Sequence, residues 1–89
     1  MKGLRFERIG KNRYYNVVFH MGNAYVPVSD ETLEELKAQS RLPAERFLDL
    51  LIDRVGHSSY LKDQIRAALQ SSGDPGTQIT MLQGAIREL

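Results

Sequence analysis

The sequence predicts an α+β fold: a three-strand antiparallel meander followed by three or four helices packed on one face. Three observations lead there. Apolar residues sort onto one face of alternating segments up to residue 28, the period of a strand. At Ser29 the pattern turns helical, with Asp30 and Glu31 directly behind a capping hydroxyl. Beyond it, leucine, isoleucine and valine recur at three- and four-residue spacings, punctuated by proline, glycine and serine.

A chain of 89 residues is expected to make a single domain, 1–89. Its parts are a β-meander over 1–28, a helical cover over 29–70, a breaker over 71–76 and a C-terminal amphipathic helix over 77–89. A domain this small buries a modest fraction of its surface, so dimerisation would be a natural supplement.

The strands come first. Gly22-Asn23 suits a two-residue hairpin turn of the Gly-first kind. Such a turn pairs Met21 with Ala24, Phe19 with Val26, and Val17 with Val28. All six are apolar and share a face, whereas a slip of one residue would destroy the sorting. His20 opposite Tyr25 and Val18 opposite Pro27 make the other face. A turn at Lys11-Asn12 would add the first strand, with Phe6 opposite Val17 and Leu4 opposite Phe19. The strands then span roughly 3–9, 13–21 and 24–28. In this register Pro27 points its missing N–H away from the second strand, which suits an edge and discourages further pairing there.

The helices follow. Ser29 caps the first, Val28 and Leu33 occupy the positions of a hydrophobic staple, and Leu33 and Leu36 form its stripe. It is expected to end near Gln39 or Ser40. Pro43 fits the first position of the second helix. Phe47, Leu48, Leu50, Leu51, Ile52 and Val55 cover more than one narrow stripe there, which points to the core or to a dimer contact. Gly56 stops that helix. Ser58 or Ser59 caps a third helix with the stripe Leu61, Ile65, Ala68 and Leu69. After SSGDPG, Ile79, Leu82, Ile86 and Leu89 mark a short amphipathic helix weakened by Gly84. It must dock on its own domain or on something else.

Composition excludes several kinds of chemistry. There is no cysteine, hence no disulfide, thiolate metal site or cysteine nucleophile. His20 and His57 have no further ligand at metal spacing, so no metal is expected. The acids Asp30, Glu31, Glu34, Glu35, Glu45, Asp49 and Asp53 fall mostly at outward helix positions. No phosphate loop or nucleophile motif is present, no cofactor is implied, and the chain reads as a non-enzyme. No apolar run approaches the roughly 20 residues that span a bilayer, and the start lacks the apolar stretch of a signal peptide. The expectation is a cytoplasmic protein with no membrane contact.

Binding remains. Residues 1–13 hold Lys2, Arg5, Arg8, Lys11 and Arg13 against Glu7 alone, while the remainder carries seven Lys or Arg against ten Asp or Glu. The basic end could meet a phosphate backbone or an acidic protein surface. The outer sheet face carries Arg5, Glu7 and Ile9, then Tyr14, Asn16, Val18 and His20, then Tyr25 and Pro27, with Lys11 and Arg13 at its rim. Aromatics interleaved with bases suit a protein interface, where Tyr and Arg serve as anchors. They equally suit nucleobases and phosphates. Two further surfaces are the Pro43–Val55 helix and the C-terminal helix, either of which could join two copies.

The segment AYVPVSDETLEELKAQSRLPAERFLDLLIDRV, residues 24–55, resembles a ribbon-helix-helix unit. That resemblance implies a strand paired with its twin from a second subunit, then two helices. It also implies a DNA major groove read by Tyr25 and Pro27, or by Ala24 and Val26. The residues depart from the pattern in three ways. The first helix is about one turn short. No Arg, Lys, Asn, Gln or Thr lies between Ala24 and Val28 to contact base edges. The strand already has a partner in residues 15–21. The residues therefore point to a small non-catalytic binding or regulatory protein that docks on a macromolecule, a protein first and a nucleic acid second.

Overall fold

The structure is a computed structural model describing residues 3–10, 15–71 and 73–89. Three strands, β1 (Leu4–Arg8), β2 (Tyr15–Met21) and β3 (Ala24–Ser29), precede four helices. These are α1 (Asp30–Ala38), α2 (Ala44–Val55), α3 (Ser59–Ser71) and α4 (Pro75–Arg87). The sheet is an antiparallel meander in the order β1-β2-β3, as expected from the pattern.

The β2–β3 hairpin follows the expected register, with Met21 opposite Ala24, Phe19 opposite Val26 and Val17 opposite Val28. Gly22 takes φ +65° while Asn23 keeps a negative φ, the type II′ turn that only glycine enters freely at its first position. A bulge between Tyr15 and Val17 leaves Asn16 as the extra residue of β2.

The β1–β2 register differs from expectation. Leu4 faces Met21 and Phe6 faces Phe19, where Phe19 and Val17 were the expected partners. The shift is two residues, so every side chain stays on its intended face. The hydrophobic pattern cannot detect such a shift. The expected turn at Lys11-Asn12 lies outside the described residues.

Local chemistry sets the helix starts. Ser29 Oγ accepts from Thr32 N at 3.2 Å and caps α1, which ends with Gln39 as its C-cap. Pro43 is the N-cap of α2 rather than its first residue, and its carbonyl accepts the first helical bond, from Phe47 N at 3.0 Å. Ser58, not Ser59, caps α3 by accepting from Leu61 N at 3.2 Å. α4 begins inside the expected breaker: Asp74 accepts from Thr77 N at 3.3 Å and Pro75 opens the helix.

The core lies between the inner sheet face and the four helices. It holds Leu4, Val17, Phe19, Met21, Val26 and Val28 from the strands. Against them pack Leu33 and Leu36 of α1, and Phe47, Leu51 and Val55 of α2. Ile65, Ala68 and Leu69 of α3, with Ile79, Leu82 and Ile86 of α4, complete it. Leu48, Leu50 and Ile52 add half-buried surface, so the wide apolar face of α2 is largely used inside the chain. The C-terminal helix docks on its own chain, against α1, α2, α3 and β1. Gln83 is buried beside this face, donating to Ser40 O at 3.1 Å and Leu42 O at 2.6 Å. The Leu89 carbonyl accepts from Arg8 Nη2 at 2.9 Å and Lys37 Nζ at 3.1 Å, fastening the end of α4 to β1 and α1. No helix among the described residues is long and apolar enough to cross a membrane.

Candidate functional site

The four helices pack on the inner face, which leaves the outer face of the sheet without a helix from among the described residues. Strand alternation places Arg5 and Glu7 of β1, Val18 and His20 of β2, and Tyr25 and Pro27 of β3 there. Val18 lies at the centre, flanked by Glu7 and Pro27, and is only 5% exposed although it stands outside the main core. It forms an apolar floor beneath a polar and aromatic layer.

That layer is connected. The Glu7 carboxylate is shared: its Oε1 lies 2.6 Å from His20 Nε2 and 3.6 Å from Arg5 Nη1. Arg5 stands directly opposite His20, and Glu7 reaches His20 on the diagonal. On its other side the His20 ring packs 5.9 Å from the ring of Tyr25, tilted by 41°. Tyr25 is 64% exposed, whereas the His20 side chain is 20% exposed. The result is a row across three strands, guanidinium, carboxylate, imidazole and phenol. Exposed ion pairs add little to stability, so the row contributes shape and polarity more than folding energy.

Of the site residues expected from sequence, Arg5, His20 and Tyr25 come together here. Asn16 sits at the bulge, half-buried, and its carbonyl accepts from Ile9 N at 2.9 Å. Lys11, Arg13 and Tyr14 lie outside the described residues. Glu7 was placed on this face but not singled out. The structure makes it the hub, and it offsets one of the basic charges that the sequence concentrates at this end. The signal that finds it is the diagonal between β1 and β2, which needs the corrected register. In the expected register His20 would have faced Gly3.

The concavities among the described residues reach about 290 Å³, in an open hollow between the β2–β3 turn and α3 lined by Gly22, Asn23, Gln64 and Ser71. A cleft of about 190 Å³ beside the start of α1 is lined by Tyr15, Val28, Thr32, Arg54 and His57. Drug-sized ligands usually occupy about 300 Å³ or more. Its arginine is engaged: Arg54 Nε donates to Glu35 Oε1 at 2.8 Å, and Nη1 contacts Asp53. The hydrogen bond from Arg54 holds the Glu35 carboxyl below its ordinary range and raises that of Arg54 in return. Among the described residues no group of three or more His, Cys, Asp or Glu side chains could hold a metal ion. Comparison with protein-family models, curated proteins and solved structures returned no match.

Proposed function

We propose that this chain is a non-catalytic binding protein that docks on another protein through the outer face of its sheet. One observation carries the reading: a row of Arg5, Glu7, His20 and the 64%-exposed Tyr25 stands over the buried Val18, with no helix among the described residues covering it. Tyrosine and arginine around an apolar centre are the residue types that dominate protein interfaces, because they bury large area and still bond through their tips. His20 is held in place on both sides, so little side-chain freedom is lost on docking. Glu7 within the row is unfavourable for a phosphate backbone and neutral for a protein surface.

The test is quantitative capture by wild type and by Tyr25→Ala, each immobilised at equal density, with and without nuclease. A protein ligand should bind the wild type and lose about 2 kcal/mol of affinity to Tyr25→Ala, roughly thirtyfold. The circular dichroism spectrum should not change. Equal capture by both forms removes this surface. Capture that vanishes with nuclease, or that falls steeply with added salt, replaces the protein reading with a nucleic-acid one.

A further inference from the structure

The sheet has two edges, and they differ. β3 is guarded by Pro27, which has no N–H to donate. β1 is not. Ile9 N donates to Asn16 O at 2.9 Å, which marks that pair as hydrogen-bonded. Antiparallel pairs alternate, so Glu7 and Arg5 also direct their amides to β2, while Leu4, Phe6 and Arg8 direct theirs outward. The bond from Gln78 Nε2 to Leu4 O, 3.0 Å, agrees, since that carbonyl points away from β2. Gln78 occupies one of its two lone pairs. Beside this edge runs a shallow groove lined by Leu4, Phe6, Met81 and Ala85, in which Met81 is 64% exposed.

We propose that β1 is a self-pairing edge: two copies of this chain join antiparallel through it, centred on Phe6, to make one continuous six-stranded sheet. Charge chooses the partner and the register. Centring on Phe6 sets Phe6 against its twin in a hydrogen-bonded pair, with both backbone groups outward as the pairing needs. It sets Arg5 opposite Glu7 of the second copy, and Glu7 opposite its Arg5. These are non-hydrogen-bonded positions, where side chains approach most closely. The neighbouring registers with the same backbone alternation set Arg5 against Arg5, or Glu7 against Glu7. Charged side chains guard an edge when they meet like charges. Here the order Arg-Phe-Glu is its own complement. The two outer faces then become one surface, with a Tyr25 toward each end.

The test is sedimentation and light scattering of the full chain over a dilution series, together with amide exchange. A dimer is expected at high concentration, with the Phe6 amide protected there and exchanging freely on dilution. Arg5→Glu sets like charges opposite each other at two symmetric places and should weaken the dimer on the order of tenfold or more. Arg5→Glu combined with Glu7→Arg restores the complement and should recover the dimer. A monomer throughout the series overturns the proposal, as does a dimer indifferent to both variants. If Arg5→Glu misfolds by circular dichroism, the wild-type Phe6 amide decides: no concentration-dependent protection refutes the pairing. Tyr25→Ala should leave the dimer intact, so failure here and failure of the docking surface are separate results.

Discussion

Gln83→Met tests what holds α4 in place. Gln83 is 7% exposed and directs its Nε2 at two carbonyls of the α1–α2 connection, Ser40 O at 3.1 Å and Leu42 O at 2.6 Å. Methionine matches the shape and removes the donor, so the change isolates the bonds from the packing. Two hydrogen bonds are lost, at about 1 kcal/mol each. Ser40 O keeps a partner, because Arg87 Nη1 donates to it at 3.0 Å. Leu42 O loses the donor at 2.6 Å in a half-buried place, at a further cost of about 1 kcal/mol. The sum is about 2–3 kcal/mol, or a fall in melting temperature of roughly 10–20 °C for a domain of this size. Urea denaturation followed by circular dichroism measures it, with an unchanged dependence on denaturant showing that the unfolded state is not affected. A loss below about 0.5 kcal/mol, or a gain, would show that the buried amide does not anchor the helix.

Three other outcomes follow from the same packing. Gly56→Ala should destabilise by about 1–3 kcal/mol in thermal melts, since a Cβ there would sit 2.7 Å from both Ile52 O and Lys62 Cγ. A neutral result would mean the α2–α3 junction can open without cost. Gly84→Ala should stabilise by about 0.5–1 kcal/mol, because a Cβ inside α4 meets nothing within 4 Å and glycine is the poorer helix former. The third concerns acid. Hydrogen bonds from the Thr77 hydroxyl, then the Thr77 backbone, hold the Asp74 carboxyl below its ordinary value of 3.8. A carboxyl lowered on folding stabilises above its unfolded value and loses that contribution as pH falls through the folded one. The melting difference between wild type and Asp74→Ala should therefore shrink steadily below about pH 4. A difference that stays constant down to pH 2 would refute the charged cap.

Which parts of the fold could be read in the sequence follows from physics. The β2–β3 hairpin was legible pair by pair, because a two-residue turn leaves no freedom of register and a one-residue slip inverts both faces. β1 was legible in face but not in register, because a two-residue slide keeps Leu4 and Phe6 inward either way. That same slide hid the contact between Glu7 and His20, so the hub of the outer face could not be found from pattern alone. Asp74-Pro75 has the composition of a breaker, but a capping acid followed by proline is also a helix start. Gln83 carries no apolar signal for the pattern, since a polar residue ordinarily faces water. Its place four residues after Ile79 and three before Ile86 puts it on the buried face.

The fastening of β1 by the last turn of α4 has a consequence for how this molecule comes into being. Arg8 and the Leu89 carbonyl are 81 positions apart, and Leu4 meets Gln78 across 74. The hairpin of β2 and β3 can close locally within microseconds. The first strand pairs with β2 just as locally, but its contacts with α4 wait until the last helix exists. During synthesis at about 5–20 residues per second, β1 would wait several seconds for Gln78 and the Leu89 carbonyl. Over that interval the Leu4 carbonyl and the inner-face Leu4 and Phe6 lack the cover of α4 and stand open to whatever is nearby. β1 precedes every other described element yet is the one that waits longest for its helical cover, and it is there that a chaperone, or a nascent neighbour on the same message, would meet this chain.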